Sequence, residues 1–179
     1  MSGNHGGDLG RALALIDAAK AAGADAVKIQ VYRPDTITLK SDKPDFLIAR
    51  DNAWAMHRTL YDLYQHAHTP WEWIPHLFAR AREQDIELFG SVFDPTSVDI
   101  LEAFDALAYK IAAPEICDLP LLRRVGSTGK PVLVSTGLAT LVDLAVAVDT
   151  LRDAGASDIV LLKCSTAYPA PVEEVNLNT

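Results

Sequence analysis

With 179 residues, the chain is long enough for one domain with a sizeable core. Its 49% hydrophobic content is ordinary for a soluble globular protein, and no apolar run approaches the roughly 18 residues that a membrane span needs. The 16 basic and 24 acidic residues give a net charge of -8, which argues against a nucleic-acid surface, and no basic stripe rescues that idea.

The chain opens on "MSGNHGGDLG", polar and glycine-rich, without the apolar stretch of a signal peptide. Its Gly-Gly-Asp turn runs into a predicted helix, "LGRALALIDAAKAAG", and then a strand, "ADAVKIQVY" (24–32). In a repeating strand-helix protein such a helix is fed by a strand of its own, so a preceding strand is expected to be missing. Residues 33–69 read as an insertion carrying "PDTITLKSDKPDFLI" and a helix predicted over "AWAMHRTLYDLYQHAH". The aromatic cluster "HTPWEW" reads as core packing ahead of a helix, with Pro70 in its first turn. Four more strands are predicted: "IELFGS" (86–91), "LAYKIAA" (107–113), "PVLVST" (131–136) and "DIVLLKCS" (158–165). Helices over "PTSVDILEAF", "DLPLLRRVGSTG" and "TLVDLAVAVDTLRDAG" separate them. In the last of these, Thr140 caps the start with Asp143 three residues on, and Gly155 closes the end. Landmarks Phe89, Lys110, Val134 and Leu162 fall 21, 24 and 28 residues apart, about one strand-turn-helix-turn unit each. Cys117 and Cys164 lie in different segments without metal-ligand spacing, which points to a reducing cytoplasm.

Alternating strands and helices at this spacing imply an α/β fold with a parallel sheet, either doubly wound or a (β/α)8 TIM barrel. Alternation sets Val27, Ile29 and Val31 on one face of the first strand, opposite Ala26, Lys28 and Gln30. In "LAYKIAA", Leu107, Tyr109 and Ile111 are set opposite Ala108, Lys110 and Ala112. Small faces with a lysine near the strand end favour the barrel, whose chemistry sits at the carboxyl ends of its strands. A complete barrel takes about 250 residues. Five strands cannot close one, so residues 1–179 are expected to form a single partial TIM barrel.

Two strand lysines, Lys28 and Lys110, carry the chemical reading. A lysine midway along a buried strand is unfavourable unless it meets an anion or is neutral. Each either pairs with an internal carboxylate, or the two together grip a substrate bearing phosphate and carboxylate. "LVSTGLATL" sets Ser135, Thr136 and Gly137 between a strand end and a helix start, where hydroxyls and amides suit a phosphate oxygen or simply make a turn. Ser91, Thr166 and Tyr168 fall at the same ends of their strands. His57, His66, His68 and His76 read as surface or packing residues. His5 is better placed, just after the point where a first strand would end.

The segments "NHGGDL", "AAGADAVKIQ", "YKIAAPEI", "TGKPVLVSTGLATL" and "CSTAYPAPVEEVNL" resemble the sialic acid synthase family in order and spacing. "YRPDTITLKSDKPDFLI" and "TPWEW" resemble its pseudaminic acid synthase branch. The resemblance implies a phosphoenolpyruvate-condensing transferase that joins phosphoenolpyruvate to an amino sugar aldehyde, makes a nine-carbon sialic-type acid and releases phosphate. It implies that Lys28 and Lys110 grip phosphoenolpyruvate and that Glu115 stands at the sugar side. Ser91 and Ser135 match hydroxyls near the phosphate or carboxylate. His5, Gln30, Thr166 and Tyr168 complete the substrate-binding set. In the full-length family a divalent metal, Mn or Mg, orients the aldehyde. Its ligands lie on strands that this chain is expected to lack, together with the first strand and the C-terminal antifreeze-like domain. The family implies a homodimer at full length, and open strand edges imply self-association of this chain alone. Four positions depart from the family pattern: Gly6 in the Asn-His motif, Gly90, Ile74, and Ala113 where a serine is expected. An inactive fragment is therefore one expectation. A Schiff-base aldolase using Lys163 and a non-catalytic remnant or subunit are the alternatives.

Overall fold

The computed structural model describes residues 1–52, 54–166 and 170–175. Within them the chain divides into two compact units, Met1–Gly90 and Ser91–Thr179.

In the first unit a 3-10 turn at Gly3–His5 precedes helix α1, Leu9–Ala21. Asp8 caps α1 by accepting from the Arg11 amide at 2.7 Å, which satisfies one of the donors left free at a helix start. Strand β1, Ala26–Val31, buries Val27, Ile29 and Val31, and leaves Lys28 and Gln30 half-buried on the other face. The period-2 reading is therefore correct. Helix α4, Ile74–Glu83, buries Ile74, Leu77, Phe78 and Ala81, spaced as one helical face, and packs on α1.

The 33–69 insertion holds a short helix α2 at Pro34–Ile37, a 3-10 turn at Pro44–Phe46 and helix α3 at Leu60–Ala67. The helix predicted over 53–68 is thus shorter than expected. Thr59 is extended, forms an antiparallel bridge with Leu47, and caps α3 through its hydroxyl, which accepts from the Asp62 amide at 3.1 Å. A backbone committed to that bridge cannot also be helical. Pro70 likewise caps a 3-10 turn at Trp71–Trp73, and Pro75 is the proline in the first turn of α4.

Strand β2, Glu87–Val92, carries the chain into the second unit. There helix α5, Pro95–Glu102, is capped by Asp94, and helix α6, Leu119–Gly126, by Asp118. Helix α7, Leu141–Ala154, has the expected Thr140–Asp143 capping box, and Gly155 closes it at φ 109°. Strands β3, Tyr109–Ile111, β4, Val132–Ser135, and β5, Ile159–Leu162, pair parallel, with Lys110 opposite Leu133 and Ser135 opposite Leu162. All five strands fall in one sheet in chain order. Leu107, expected on the apolar face of the third strand, lies ahead of it and is 54% exposed, while Ala108 is buried. Helices α6 and α7 pack closely at Gly126, where an added Cβ would stand 2.6 Å from the Ala154 Cβ. Among the described residues no helix is long and apolar enough to cross a membrane.

Candidate active site

Of the residues expected to act, Lys28, Gln30 and His5 lie in the first unit. Lys28 and Gln30 share the half-buried face of β1 because successive residues of a strand point to opposite sides. Among the described residues no carboxylate lies within ion-pair distance of Lys28, so the internal-partner alternative finds no support there. Burial holds the Lys28 ammonium below its ordinary pKa.

His5 is completely buried. Its Nδ1 accepts from the Gly7 amide at 3.1 Å and therefore carries no proton. The neutral ring holds its proton on Nε2, which donates to the Thr69 hydroxyl at 3.4 Å. Trp73 packs edge-on, with ring centroids 5.3 Å apart. Burial, then the charges of His68 and of the chain's α-ammonium, push the His5 pKa down from 6.5. The unfolded chain therefore binds a proton that the folded chain refuses, and stability falls as pH drops below that ordinary value. Melting temperatures measured from about pH 7.5 to 5 are expected to decline. His5→Asn, which keeps an acceptor for Gly7 and cannot take up a proton, is expected to flatten the decline. An equal slope in both proteins would refute this account.

Ser91, Lys110, Glu115, Ser135 and Thr166 lie in the second unit. Ser91 and Ser135 are buried near the carboxyl ends of β2 and β4. Lys110 is half-buried on β3 and its Nζ lies 3.4 Å from the Ile111 carbonyl oxygen. Glu115 sits in a 3-10 turn, Ala113–Cys117, that leaves the end of β3. Its Oε2 is buried without a hydrogen-bond partner among the described residues. Burial raises the Glu115 pKa, offset in part by its own backbone amide and by the Lys110 charge, while Asp118 adds to the rise. An under-satisfied carboxyl beside a lysine is a group prepared to give or share a proton.

After β4, both the amide and the hydroxyl of Thr136 donate to the Leu162 carbonyl, at 3.1 and 3.2 Å. These bonds tie the turn to the end of β5. Thr166 is exposed on the segment that follows β5, and Tyr168 lies outside the described residues. Lys163 is solvent-exposed just past β5, without the desolvation that a Schiff-base lysine relies on. Among the described residues no three His, Cys, Asp or Glu side chains gather as metal ligands. His57 and His66 approach each other, with ring centroids 5.2 Å apart, but as a pair only. Cys117 and Cys164 are free thiols.

Thr136 and Gly137 are the positions whose part the sequence reading undervalued. The Ser-Thr-Gly run at a strand end was the available signal, but the tie to Leu162 depends on a strand 26 residues away.

A sequence model of the NeuB family matches residues 15–179. The chain is 44% identical over 177 residues to a pseudaminic acid synthase of Campylobacter jejuni, covering 99% of this chain and 51% of that protein. It is 41% identical over 177 residues to a pseudaminic acid synthase of Helicobacter pylori, covering 99% and 52%. The crystal structure of an N-acetylneuraminic acid synthetase from Leptospira borgpetersenii, in complex with citrate, superposes with a TM-score of 0.80 at 28% identity. That match covers 97% of this chain and 55% of the other. The chain spans about half the length of the curated relatives it matches.

Proposed function

The chain belongs to the NeuB family, and from that we propose that it supplies the phosphoenolpyruvate-gripping portion of a (β/α)8 synthase, units two to six of the barrel. The reaction is condensation of phosphoenolpyruvate with an amino sugar aldehyde, giving a nine-carbon sialic-type acid and phosphate. The observation that carries this reading is the half-buried Lys28 ammonium with no carboxylate partner among the described residues. Desolvating a charge without a counter-ion is unfavourable, and the arrangement makes sense where an anionic ligand supplies the counter-charge. The resemblance to the sialic acid synthase family implies phosphoenolpyruvate as that anion.

In this proposal Lys28 and Lys110 neutralise the ligand's phosphate and carboxylate, the buried hydroxyls of Ser91 and Ser135 donate to its oxygens, and Gln30 adds an amide. Glu115 carries the proton-transfer role at the sugar side. Thr166 and Tyr168 complete the proposed substrate-binding set; His5, expected in that set, is completely buried with both ring nitrogens engaged and is left out of it. The described residues do not offer a metal-ligand set, so no step is assigned through the divalent ion implied by the resemblance. Turnover by the 179-residue chain alone is proposed to be absent or feeble.

The test is an equilibrium titration of the purified chain with phosphoenolpyruvate. Saturable binding that weakens with added salt is expected, because the contacts are charge pairs. No binding at millimolar ligand, or brisk phosphate release by the isolated chain, would sink the respective part of the proposal.

A further inference from the structure

Gly137 stands in the turn between β4 and α7, and its φ is not positive. The left-handed backbone that most often calls for glycine is therefore not the reason for a glycine here. The reason lies in what surrounds the missing side chain. A Cβ built at Gly137 would stand 2.7 Å from the Cys164 carbonyl oxygen, 3.0 Å from Cys164 Sγ and 3.1 Å from Thr166 Cγ2. A thiol or a methyl group can rotate away from such a contact. A backbone carbonyl cannot, unless its segment moves.

Two strands are thereby locked together at their carboxyl ends. On one side of the contact, Thr136 donates twice to Leu162. On the other, the Gly137 backbone lies against Cys164 and Thr166. The first fixes the end of β5, and the second fixes how the chain leaves it. Ser135 closes β4 immediately before this pair, and Thr166 lies on the segment so held.

We propose that Gly137 is a positioning residue for phosphoenolpyruvate: its missing Cβ lets the 164–166 segment close on the β4 turn and fixes where Thr166 stands beyond the strand ends. This rests on the functional reading above. Gly137 touches no substrate and acts through Thr166. Any side chain at 137 displaces the segment and weakens ligand binding without emptying the core, because the contact lies beyond the strand ends.

Two measurements on the 179-residue chain test this. In the ligand-free protein, Gly137→Ala is expected to shift the backbone amide resonances of Cys164, Ser165 and Thr166 while those of α6 stay in place. Unmoved 164–166 resonances would overturn the proposal. In phosphoenolpyruvate titrations, Gly137→Ala and Thr166→Ala are each expected to weaken affinity about 10-fold, the scale of one lost hydrogen bond. The double variant is expected to be no worse than Gly137→Ala alone, since a displaced threonine has little left to lose. Additive losses, or wild-type affinity in Gly137→Ala, would mean that Gly137 does not work through Thr166. If the Gly137→Ala chain fails to fold, the claim that the core is spared is wrong. If the wild-type chain binds no phosphoenolpyruvate while the 164–166 resonances still shift, the functional reading fails and takes the ligand role with it, leaving only the close packing.

Discussion

Lys28→Met is expected to weaken phosphoenolpyruvate binding by about 10- to 100-fold and, in the same protein, to raise the melting temperature. The two effects have one cause. The Lys28 ammonium is half-buried and faces no carboxylate among the described residues, and burial alone holds its pKa below 10.5. A base whose folded-state pKa is depressed is one whose charge weighs against folding at neutral pH. Methionine keeps the length and the apolar stem while removing that charge, so the folded state gains. The ligand loses a charge-assisted contact worth about 1.5–3 kcal/mol. Lys110→Met is expected to lose binding without the gain in stability, because Lys110 lowers the energy of the buried Glu115 carboxylate. Paired titrations and thermal melts of the two variants check both statements. A Lys28→Met chain that binds as tightly as wild type, or that melts lower, would remove Lys28 from the proposed site.

Tyr109→Ala is expected to destabilise the chain by about 3–5 kcal/mol, the range for deleting a buried aromatic. Tyr109 is fully buried on β3, and its hydroxyl donates to Glu102 at the end of α5. Lys130 then bridges Glu102 and Asp105, at 2.9 Å to each. The ring fills the core, and the hydroxyl joins that core to a surface ion-pair network. Tyr109→Phe isolates the second part and is expected to cost about 1–2 kcal/mol. It also changes the pH response at both ends. Burial, then Glu102, raise the Tyr109 pKa above 10.0, so the folded state retains a proton that the unfolded chain releases, and wild-type stability falls above that pH. Burial alone would raise the Glu102 pKa, but the Tyr109 hydroxyl and Lys130 outweigh it and bring it below 4.5. That contribution is present above pH 4.5 and lost in acid. Chemical denaturation across pH is expected to show both losses shrinking in Tyr109→Phe. Identical pH profiles would mean that the hydroxyl contributes nothing through this network.

Much of this architecture was legible from the chain alone because it rests on local rules. Strand alternation placed Lys28 opposite Val27 and Ile29 without any knowledge of neighbouring strands. The Thr140–Asp143 box and Gly155 marked α7 because a helix terminus must satisfy its own free amides and carbonyls within a few residues. The order of the elements, and with it the placing of Lys28 on β1 and Lys110 on β3, followed from spacing. Where the reading overran, a distant partner had intervened. Residues ahead of Thr59 look helical until Leu47 bridges to it, and Leu107 looks buried until β3 begins two residues later. The burial of His5 against Thr69 and Trp73, the link from Tyr109 through Glu102 to Lys130, and the approach of Gly137 to Cys164 were decided by tertiary structure. Each joins residues well separated in the chain, and the energy of such a contact depends on packing geometry that residue types and spacing do not encode. The sequence by itself determined which groups this protein has available for the proposed anionic ligand; only the packing of its elements decided which of them are desolvated, which are already paired, and how closely two strand ends come together.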